Sequence, residues 1–309
     1  MGASGISKIG VIGIGTMGNG IAQVSAQCGF DTIVIDVSEE VVAKGLAKIH
    51  KSLERLVASY EKSGGAKGIS AEAAAEAKGR LKTGVATADL LGCDIIIEAI
   101  IENYEAKAAK FKELSELGFS GILASNTSSI SITKLASCYA HPEKFMGMHF
   151  MNPVPLQPGV ELIRGFLTSD ETSETVTALT RDLGKEPIKA EDKAGFGINR
   201  MFVPFCNEAY RVVEEGIMSV EDCDKTTLCL GHKMGPLTTS DYVGLDTMYY
   251  ITHVLWAEFG DAYRPSPLLT RLFEAGHFGI KTGKGFYIYD EQGNKIGVNP
   301  AVARYRIGG

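Results

Sequence analysis

The stretch Lys8-Ile9-Gly10-Val11-Ile12-Gly13-Ile14-Gly15-Thr16-Met17-Gly18 decides the fold of this chain of 309 residues. Its apolar first half stops at a glycine, which is typical of a buried parallel strand. A helix-like segment follows and ends at Gly29, a suitable glycine for the position just past a helix. The segment 31–35, which ends in three apolar residues, then predicts a second strand. Strand, glycine turn, helix and strand within about thirty residues form a βαβ unit.

The three glycines of the turn each have a separate task in a dinucleotide-binding loop. Gly13 permits a tight turn, Gly15 lets the backbone approach a pyrophosphate, and Gly18 lets helix and strand pack closely. Free N–H groups at the helix start, those of Thr16 and Met17 among them, are predicted to hold the phosphates. The alternative is a glycine turn that binds no ligand.

Asp36 stands where the dinucleotide fingerprint expects an acid, 18 residues after Gly18. Its carboxylate is predicted to accept hydrogen bonds from the adenosine ribose hydroxyls. A 2′-phosphate would be repelled by that charge, and the next four residues supply no arginine to compensate. The sequence therefore favours NAD(H) as cofactor, with NADP(H) as the alternative.

Strand and helix patterns alternate up to about residue 190, which predicts a Rossmann-like doubly wound parallel sheet. Apolar residues recur every three or four positions over 39–60, and a second helical pattern starts at residue 71. Both lie in a helical hairpin inserted near 39–80. Further strands are expected at 94–99, 121–125 and 145–150. We assign residues 1–194 to an NAD-binding α/β domain.

The pattern changes after Ala194-Gly195-Phe196, where helical periodicity replaces alternation. The fold class is thus α/β with a C-terminal all-α domain, which we place at 195–289. Residues 290–309 are expected to form a loose tail.

Composition excludes several classes of protein. Hydrophobic residues make up 45% and charged residues 22%, close to the globular average, so the chain is not a disordered one. A net charge of −6 gives no electrostatic footprint for nucleic acid and no basic face for a membrane. The longest apolar runs are far shorter than the ~20 residues that span a bilayer.

Six cysteines are scattered without the spacing of a zinc site, so no metal is expected. Reduced structural thiols fit a reducing compartment. The first residues resemble neither a signal peptide nor a transit peptide. We expect a cytoplasmic protein.

His149 differs in context from the other five histidines. It lies near the end of an apolar run, just before the proline-containing turn 151–155, and ligands bind at the carboxyl ends of such strands. Glu161 lies in the apolar run 160–163, where a buried carboxylate needs a partner. The alternative places Glu161 at a sheet edge, facing water.

The chain resembles the 3-hydroxyacyl-CoA dehydrogenase family, especially its bacterial 3-hydroxybutyryl-CoA dehydrogenase members. Six stretches between about Lys8 and Tyr289 carry the resemblance, in the family's order and spacing. They are Ala124-Ser125-Asn126-Thr127-Ser128-Ser129, Gly147-Met148-His149-Phe150-Met151-Asn152-Pro153-Val154-Pro155, Gly195-Phe196-Gly197-Ile198-Asn199-Arg200, Met234-Gly235-Pro236-Leu237, Gly244-Leu245-Asp246 and Lys281-Thr282-Gly283-Lys284-Gly285-Phe286-Tyr287.

The resemblance implies an NAD-dependent enzyme that interconverts (S)-3-hydroxyacyl-CoA and 3-oxoacyl-CoA, with short acyl chains favoured. His149 is then the catalytic base and Glu161 the carboxylate that orients it. Histidine titrates near neutral pH and suits this proton transfer. Ser128 and Asn199 match polar residues around the substrate carbonyl, although each also fits a helix cap.

The resemblance also implies binding residues. Glu102, Lys107, Asn152 and Lys281 match contacts to NAD, while the two lysines also fit exposed surface charges. The helical hairpin matches the arm that binds coenzyme A, where Ser52 stands at the family's serine. Ser59 replaces the usual lysine, so Arg55 or Lys62 is expected to meet the coenzyme A phosphates.

A second departure from the family precedes Glu161, where Leu156-Gln157-Pro158-Gly159 could redirect the chain and alter the geometry around His149. Two other functions stay open: a dehydrogenase of a free hydroxy acid or sugar acid, and a non-enzymatic dinucleotide-binding module. The resemblance implies a homodimer through the helical domain. Its apolar residues suit either a core or an interface: Met248, Tyr249, Ile251, Leu255 and Trp256.

Overall fold

A computed structural model describes residues 2–303 of the chain. The chain divides into two compact units, Met1–Lys193 and Ala194–Gly309. In the described part of the chain, no helix combines the length and apolar character that crossing a membrane requires.

An eight-stranded sheet forms the centre of the first unit, in the order β3-β2-β1-β4-β5-β6-β7-β8. Every neighbouring pair within it is parallel except β6 and β7. The doubly wound sheet is confirmed, with one antiparallel strand pair that the sequence did not predict. The strands are β1 (Lys8–Ile12), β2 (Asp31–Ile35), β3 (Leu81–Gly84), β4 (Ile95–Glu98), β5 (Ile122–Ser125), β6 (Phe145–Phe150), β7 (Gly159–Arg164) and β8 (Glu186–Glu191).

Helices connect these strands and cover the sheet. Helix α2 is amphipathic, and its buried residues Val42, Ile49 and Leu53 recur at helical spacing. The helices are α1 (Thr16–Gln27), α2 (Glu39–Lys62), α3 (Ala71–Arg80), α4 (Tyr104–Glu116), α5 (Ile132–Ala136) and α6 (Asp170–Asp182).

The central strands are apolar because both of their faces are covered. All residues of β4 and β6 are buried. Buried charges such as Glu98 in β4 and Glu161 in β7 therefore need partners within the fold.

The second unit packs its helices around a core of its own. They are α7 (Ile198–Glu214), α8 (Val220–Cys229), α9 (Pro236–Val243), α10 (Leu245–Phe259), α11 (Pro267–Glu274) and α12 (Pro300–Ala303). An antiparallel hairpin of β9 (Tyr287–Tyr289) and β10 (Lys295–Val298) accompanies them, so the expectation of an all-α domain is wrong in this detail.

The expectation of a loose tail over 290–309 is wrong for the residues that the structure describes. Strand β10 pairs with β9, Val302 is buried in the core, and the Asn299 side chain donates to the Gly285 carbonyl. Apolar burial and backbone pairing fix this segment, although it is too short and polar to stand out in the sequence. Residues 304–309 lie outside the described part of the chain.

Candidate active site

The glycine loop after β1 has the shape that a dinucleotide requires. Gly13 has a φ of +94°, and a Cβ there would lie 2.7 Å from the Ala99 carbonyl oxygen. A Cβ on Gly18 would overlap the Gly13 carbonyl oxygen, so this glycine brings helix α1 close to the loop. A Cβ on Gly15 would meet no described atom within 4 Å, which leaves the space over this exposed residue open to a ligand.

Helix α1 presents its N-terminus at the same loop. Gly15 is the N-cap residue, and in the described part of the chain no side chain caps the first turn. The first turn, all of it described, also contains no acidic residue. Thr16 is exposed and Met17 half-buried there. Backbone N–H groups and the positive end of the helix dipole are therefore available to an anion, and the loop fits the pyrophosphate of NAD.

Asp36 follows β2 and holds the glycine loop in place. One carboxylate oxygen accepts from the Ile14 N–H at 2.7 Å, and the other accepts from the Val37 N–H at 2.7 Å. Each oxygen can accept one further hydrogen bond. The half-buried carboxylate therefore remains suited to the ribose hydroxyls that the sequence assigned to it.

His149 and Glu161 face each other directly across the antiparallel pair β6 and β7. The His149 Nδ1 lies 3.0 Å from the Glu161 Oε2, and the two residues are 7% and 0% exposed. Because β7 lies between β6 and β8, the alternative of a water-facing Glu161 at a sheet edge is wrong. When Nδ1–H donates to the buried carboxylate, Nε2 is the ring nitrogen that can take up a proton.

Ser128 occupies the other side of the histidine ring, where its Oγ lies 3.0 Å from the His149 Nε2. The serine follows β5, which neighbours β6 in the sheet. Ser131, not Ser128, caps helix α5 by accepting from the Lys134 N–H. The structure thus aligns Ser128, His149 and Glu161 in one hydrogen-bonded series near the carboxyl ends of β5 and β6.

The unusual segment before Glu161 does not disturb this pair. The buried Lys185 ammonium donates to the carbonyls of Val154 at 2.6 Å and Gln157 at 2.7 Å. The Glu186 N–H donates to the Pro158 carbonyl at 2.7 Å, immediately before β7 pairs with β8. These contacts fix the connection between β6 and β7, and the strand register still places Glu161 opposite His149.

Glu102 organises the loop that carries Ser128. Its Oε1 accepts from the Thr127 hydroxyl at 2.6 Å, the Ser128 N–H at 2.8 Å, and both the N–H and the hydroxyl of Ser129 at 3.0 Å. Burial acts to raise the pKa of the Glu102 carboxyl, but the Lys107 charge and these hydrogen bonds outweigh it and hold that pKa below its usual range. The carboxylate is therefore ionised where it binds the loop.

Lys107 is not the exposed surface charge that its sequence context also allowed. Its side chain is 1% exposed, and its ammonium lies 2.6 Å from the Glu98 Oε1 and 3.4 Å from the Glu102 Oε2. The sequence did not single out Glu98. A signal was present, because Glu98 ends the apolar run of β4 just as Glu161 lies within one.

The other residues expected at the site belong to both units. Asn152 is exposed at the start of the turn after β6. Lys281, in the second unit, forms an ion pair with Asp246. Asn199 is the second residue of α7, whose N-cap is Gly197, so Asn199 is not the cap of this helix.

The residues expected to bind coenzyme A lie on helix α2. Ser52, Arg55, Ser59 and Lys62 recur at intervals of three or four residues and therefore share one helical face. Arg55 and Lys62 are exposed, whereas Leu53 faces the core.

Two family models match nearly the whole chain. The 3-hydroxyacyl-CoA dehydrogenase NAD-binding domain covers residues 8–193, and the 3-hydroxyacyl-CoA dehydrogenase C-terminal domain covers residues 195–289. The probable 3-hydroxybutyryl-CoA dehydrogenase of Deinococcus radiodurans is 47% identical over 91% of this chain and 100% of its own length. The 3-hydroxybutyryl-CoA dehydrogenase of Bradyrhizobium diazoefficiens is 44% identical over 93% of this chain and 97% of its own.

Solved structures agree with these matches. The crystal structure of (S)-3-hydroxybutyryl-CoA dehydrogenase from Ralstonia eutropha superposes with a TM-score of 0.86 at 44% identity, covering 93% of this chain and all of its own. The NAD-binding family model and the glycine loop support the same cofactor. This chain belongs to the 3-hydroxyacyl-CoA dehydrogenase family, whose members are NAD-dependent oxidoreductases.

Proposed function

We propose that this protein interconverts (S)-3-hydroxyacyl-CoA and 3-oxoacyl-CoA, with 3-hydroxybutyryl-CoA and acetoacetyl-CoA as its preferred pair. The observation that carries the proposal is the series Ser128, His149 and Glu161, with 3.0 Å between each neighbouring pair of polar atoms. It lies at the same sheet edge as the glycine loop, since β1, β5 and β6 all run parallel. The similar proteins named above are 3-hydroxybutyryl-CoA dehydrogenases.

His149 acts as the acid–base group. During oxidation, the substrate 3-hydroxyl gives its proton to the His149 Nε2 while hydride leaves C3. Bound NAD⁺ supplies the acceptor for that hydride. Glu161 stabilises the imidazolium and fixes the ring orientation, as the acid does in a catalytic triad. In reduction, the imidazolium returns the proton to the oxygen that becomes the hydroxyl.

Ser128 and Asn199 are the proposed polar contacts of the substrate oxygen. The Ser128 hydroxyl is hydrogen-bonded to the His149 Nε2 at 3.0 Å and can exchange this hydrogen bond for one to the substrate. A hydrogen-bond donor at the oxygen stabilises the charge that develops there in the transition state. For the cofactor we propose Gly13, Gly15, Thr16, Met17, Gly18 and Asp36 at the loop, with Glu102, Lys107, Asn152 and Lys281 as further binding residues.

We propose that helix α2 binds the coenzyme A part of the substrate through Ser52, Arg55 and Lys62. The two cations are exposed on one face with the serine, and phosphates pair well with such groups. Replacing all three by alanine should raise the KM for acetoacetyl-CoA at least tenfold and leave the affinity for NADH unchanged. Lys44→Ala is the matched control, because Lys44 lies on the same helix and pairs with Glu40.

The decisive assay mixes the purified protein with acetoacetyl-CoA and follows the loss of reduced-cofactor absorbance with NADH and, separately, NADPH. Free acetoacetate replaces the thioester in a parallel reaction. We expect turnover of the thioester with NADH, much slower turnover with NADPH, and none of the free acid. No turnover of the thioester with either cofactor would overturn the proposal, and turnover of acetoacetate alone would support the hydroxy-acid alternative.

We also propose a homodimer formed by the second unit. Met248, Ile251 and Leu255 are buried core residues. Other large apolar side chains of this unit are exposed and are available to a second copy, among them Met201, Phe205, Leu228, Leu230, Tyr242 and Tyr250. Sedimentation equilibrium should give twice the chain mass, and Leu230→Glu should weaken this association.

For location we propose the cytoplasm. All six cysteines are unpaired, which fits a reducing compartment. Fractionation of the producing cell should recover the activity with cytoplasmic marker enzymes, and recovery with membranes or in the medium would contradict this.

A further inference from the structure

A buried ion triad lies beneath the loop that carries Ser128. Glu98 ends β4 and is 0% exposed, and its Oε1 is 2.6 Å from the ammonium of Lys107, which is 1% exposed. The same ammonium lies 3.4 Å from the Glu102 Oε2. Two carboxylates thus share one buried cation.

Glu98 touches the Ser128 loop along two routes. Its Oε2 accepts from the Ser125 hydroxyl at 2.6 Å, and the Ser125 Oγ in turn accepts from the Thr127 N–H at 3.3 Å. Through Lys107 it also holds Glu102, whose Oε1 accepts the N–H groups of Ser128 and Ser129. The loop backbone is therefore fixed from both sides by groups that depend on Glu98.

We propose that Glu98 is a positioning residue for proton transfer, which acts through Lys107 and Glu102 to keep the Ser128 hydroxyl on the His149 Nε2. The inference rests on the proposed roles of Ser128 and His149. Glu98 is 0% exposed and meets no ligand directly, so its effect on the reaction passes through other residues.

The charges of Glu98, Lys107 and Glu102 explain why the triad needs all three residues. Without Glu98, the ammonium of Lys107 would stay buried with only one carboxylate, at 3.4 Å, and an incompletely paired buried charge is costly. Lys107 would then move toward Glu102 or toward water. Either movement shifts Glu102, because its Oε1 and Oε2 bind the loop and the cation at the same time.

The test is a pair of double-mutant cycles in the full-length protein. Glu98→Gln and Ser125→Ala are each made alone and together with Ser128→Ala, and kcat, KM and NADH affinity are measured. We expect kcat to fall about tenfold in each single variant, any loss of NADH affinity to be smaller than the loss of kcat, and the added effect to vanish when Ser128 is already alanine. Glu113→Gln, which removes a carboxylate from a surface pair on α4, is the control and should leave kcat unchanged.

Amide hydrogen exchange gives a second readout that does not depend on activity. Exchange at the Ser128 and Ser129 amides should accelerate about tenfold in Glu98→Gln and less in Ser125→Ala, which is the milder change. Ser125→Ala therefore provides the readout if Glu98→Gln folds poorly. Equal losses of kcat with and without Ser128, a loss confined to NADH affinity, or unchanged exchange would each overturn the inference. If the wild-type protein does not reduce acetoacetyl-CoA, the proposed function fails, while the exchange experiment still decides whether Glu98 holds this loop.

Discussion

His149 and Glu161 are cross-strand partners in an antiparallel strand pair, and their Nδ1 and Oε2 atoms lie 3.0 Å apart. Side chains alternate between the two faces of a sheet, so a register shift of one residue would turn Glu161 away from the ring. The geometry of this pair is therefore a property of strand register. The connection 151–158 fixes that register together with Lys185.

Replacing His149 by alanine should lower kcat by roughly 10²–10⁴, the range expected for loss of a positioned acid–base group. The affinity for NADH should change little, because the glycine loop and Asp36 remain. Steady-state kinetics and a fluorescence titration with NADH measure the two effects. His141→Ala, on the surface near Glu143, is the matched histidine control and should behave as wild type. A near-normal kcat in His149→Ala would remove this residue as the base.

Glu161→Gln should separate activity from stability. The glutamine keeps the size of a fully buried side chain but loses the charge that stabilises the imidazolium, so kcat should fall at least tenfold. The free energy of unfolding should stay equal or rise, because burying a charge costs more than burying an amide. Urea denaturation and kinetics of the same preparation test both. A large loss of stability together with full activity per folded molecule would contradict a role in orienting His149.

Parts of the fold were visible in the sequence because they are buried on both faces. Strand β1, the glycine loop and β4 combine apolar runs with turn glycines, and these features depend on local chemistry alone. Strands β3 and β8 lie at the two edges of the sheet, where polar residues and Pro187 interrupt any apolar run. Edge strands are defined by their neighbours in space, which sequence patterns do not show.

The candidate site was predictable to the extent that its residues occur in recognisable motifs. His149, Glu161 and Ser128 stand in such stretches, and the structure brings them together. Lys107 could not be recognised as buried, because a lysine on an amphipathic helix is usually exposed and only the position of Glu98 reveals otherwise. The prediction therefore missed the ion pair between Lys107 and Glu98, because this pair depends on how the two side chains meet in the fold.

Two alanine substitutions in the glycine loop should affect different properties, one NADH binding and the other stability. Gly15→Ala adds a methyl group where no described protein atom lies within 4 Å, so stability should change by less than about 1 kcal/mol while NADH binding weakens at least tenfold. Gly18→Ala forces overlap with the Gly13 carbonyl oxygen and should destabilise the protein by about 2–3 kcal/mol. Calorimetric titration with NADH and urea denaturation distinguish them. Equal NADH affinity in Gly15→Ala and wild type would contradict a bound pyrophosphate at this loop.

The segment after β9 should contribute to stability. The Asn299 side chain donates to the Gly285 carbonyl at 2.6 Å and lies 3.0 Å from the His277 Nδ1. Asn299→Ala leaves a buried carbonyl unpaired and should lower the free energy of unfolding by about 1–3 kcal/mol. Gln292→Ala, in the exposed turn of the hairpin, is the control. Equal denaturation midpoints for the two variants would show that this segment is as loose as its sequence suggested.

Asp241 should make the stability of the second unit depend on pH. The residue is 1% exposed, and its carboxylate accepts from the Phe286 N–H, the Tyr287 N–H and the Tyr289 hydroxyl, each at 2.9 Å. Burial raises the pKa of this carboxyl to about 6, since these hydrogen bonds offset only part of it and the charge of Asp224 adds to the rise.

The sign of the effect follows from where the proton binds. With a pKa of about 6 when folded and 3.8 as the ordinary value, the folded protein holds more protons on Asp241 between these limits. The stabilisation is complete below pH 3.8 and is lost as pH rises through 6. On lowering the pH from 7 to 5, Asp241 should add about 1 kcal/mol to the free energy of unfolding. Urea denaturation at both pH values measures the change, and Asp241→Asn, which cannot titrate, should remove this increment even if its overall stability is lower. The same increment in both proteins would assign the pH dependence to another group.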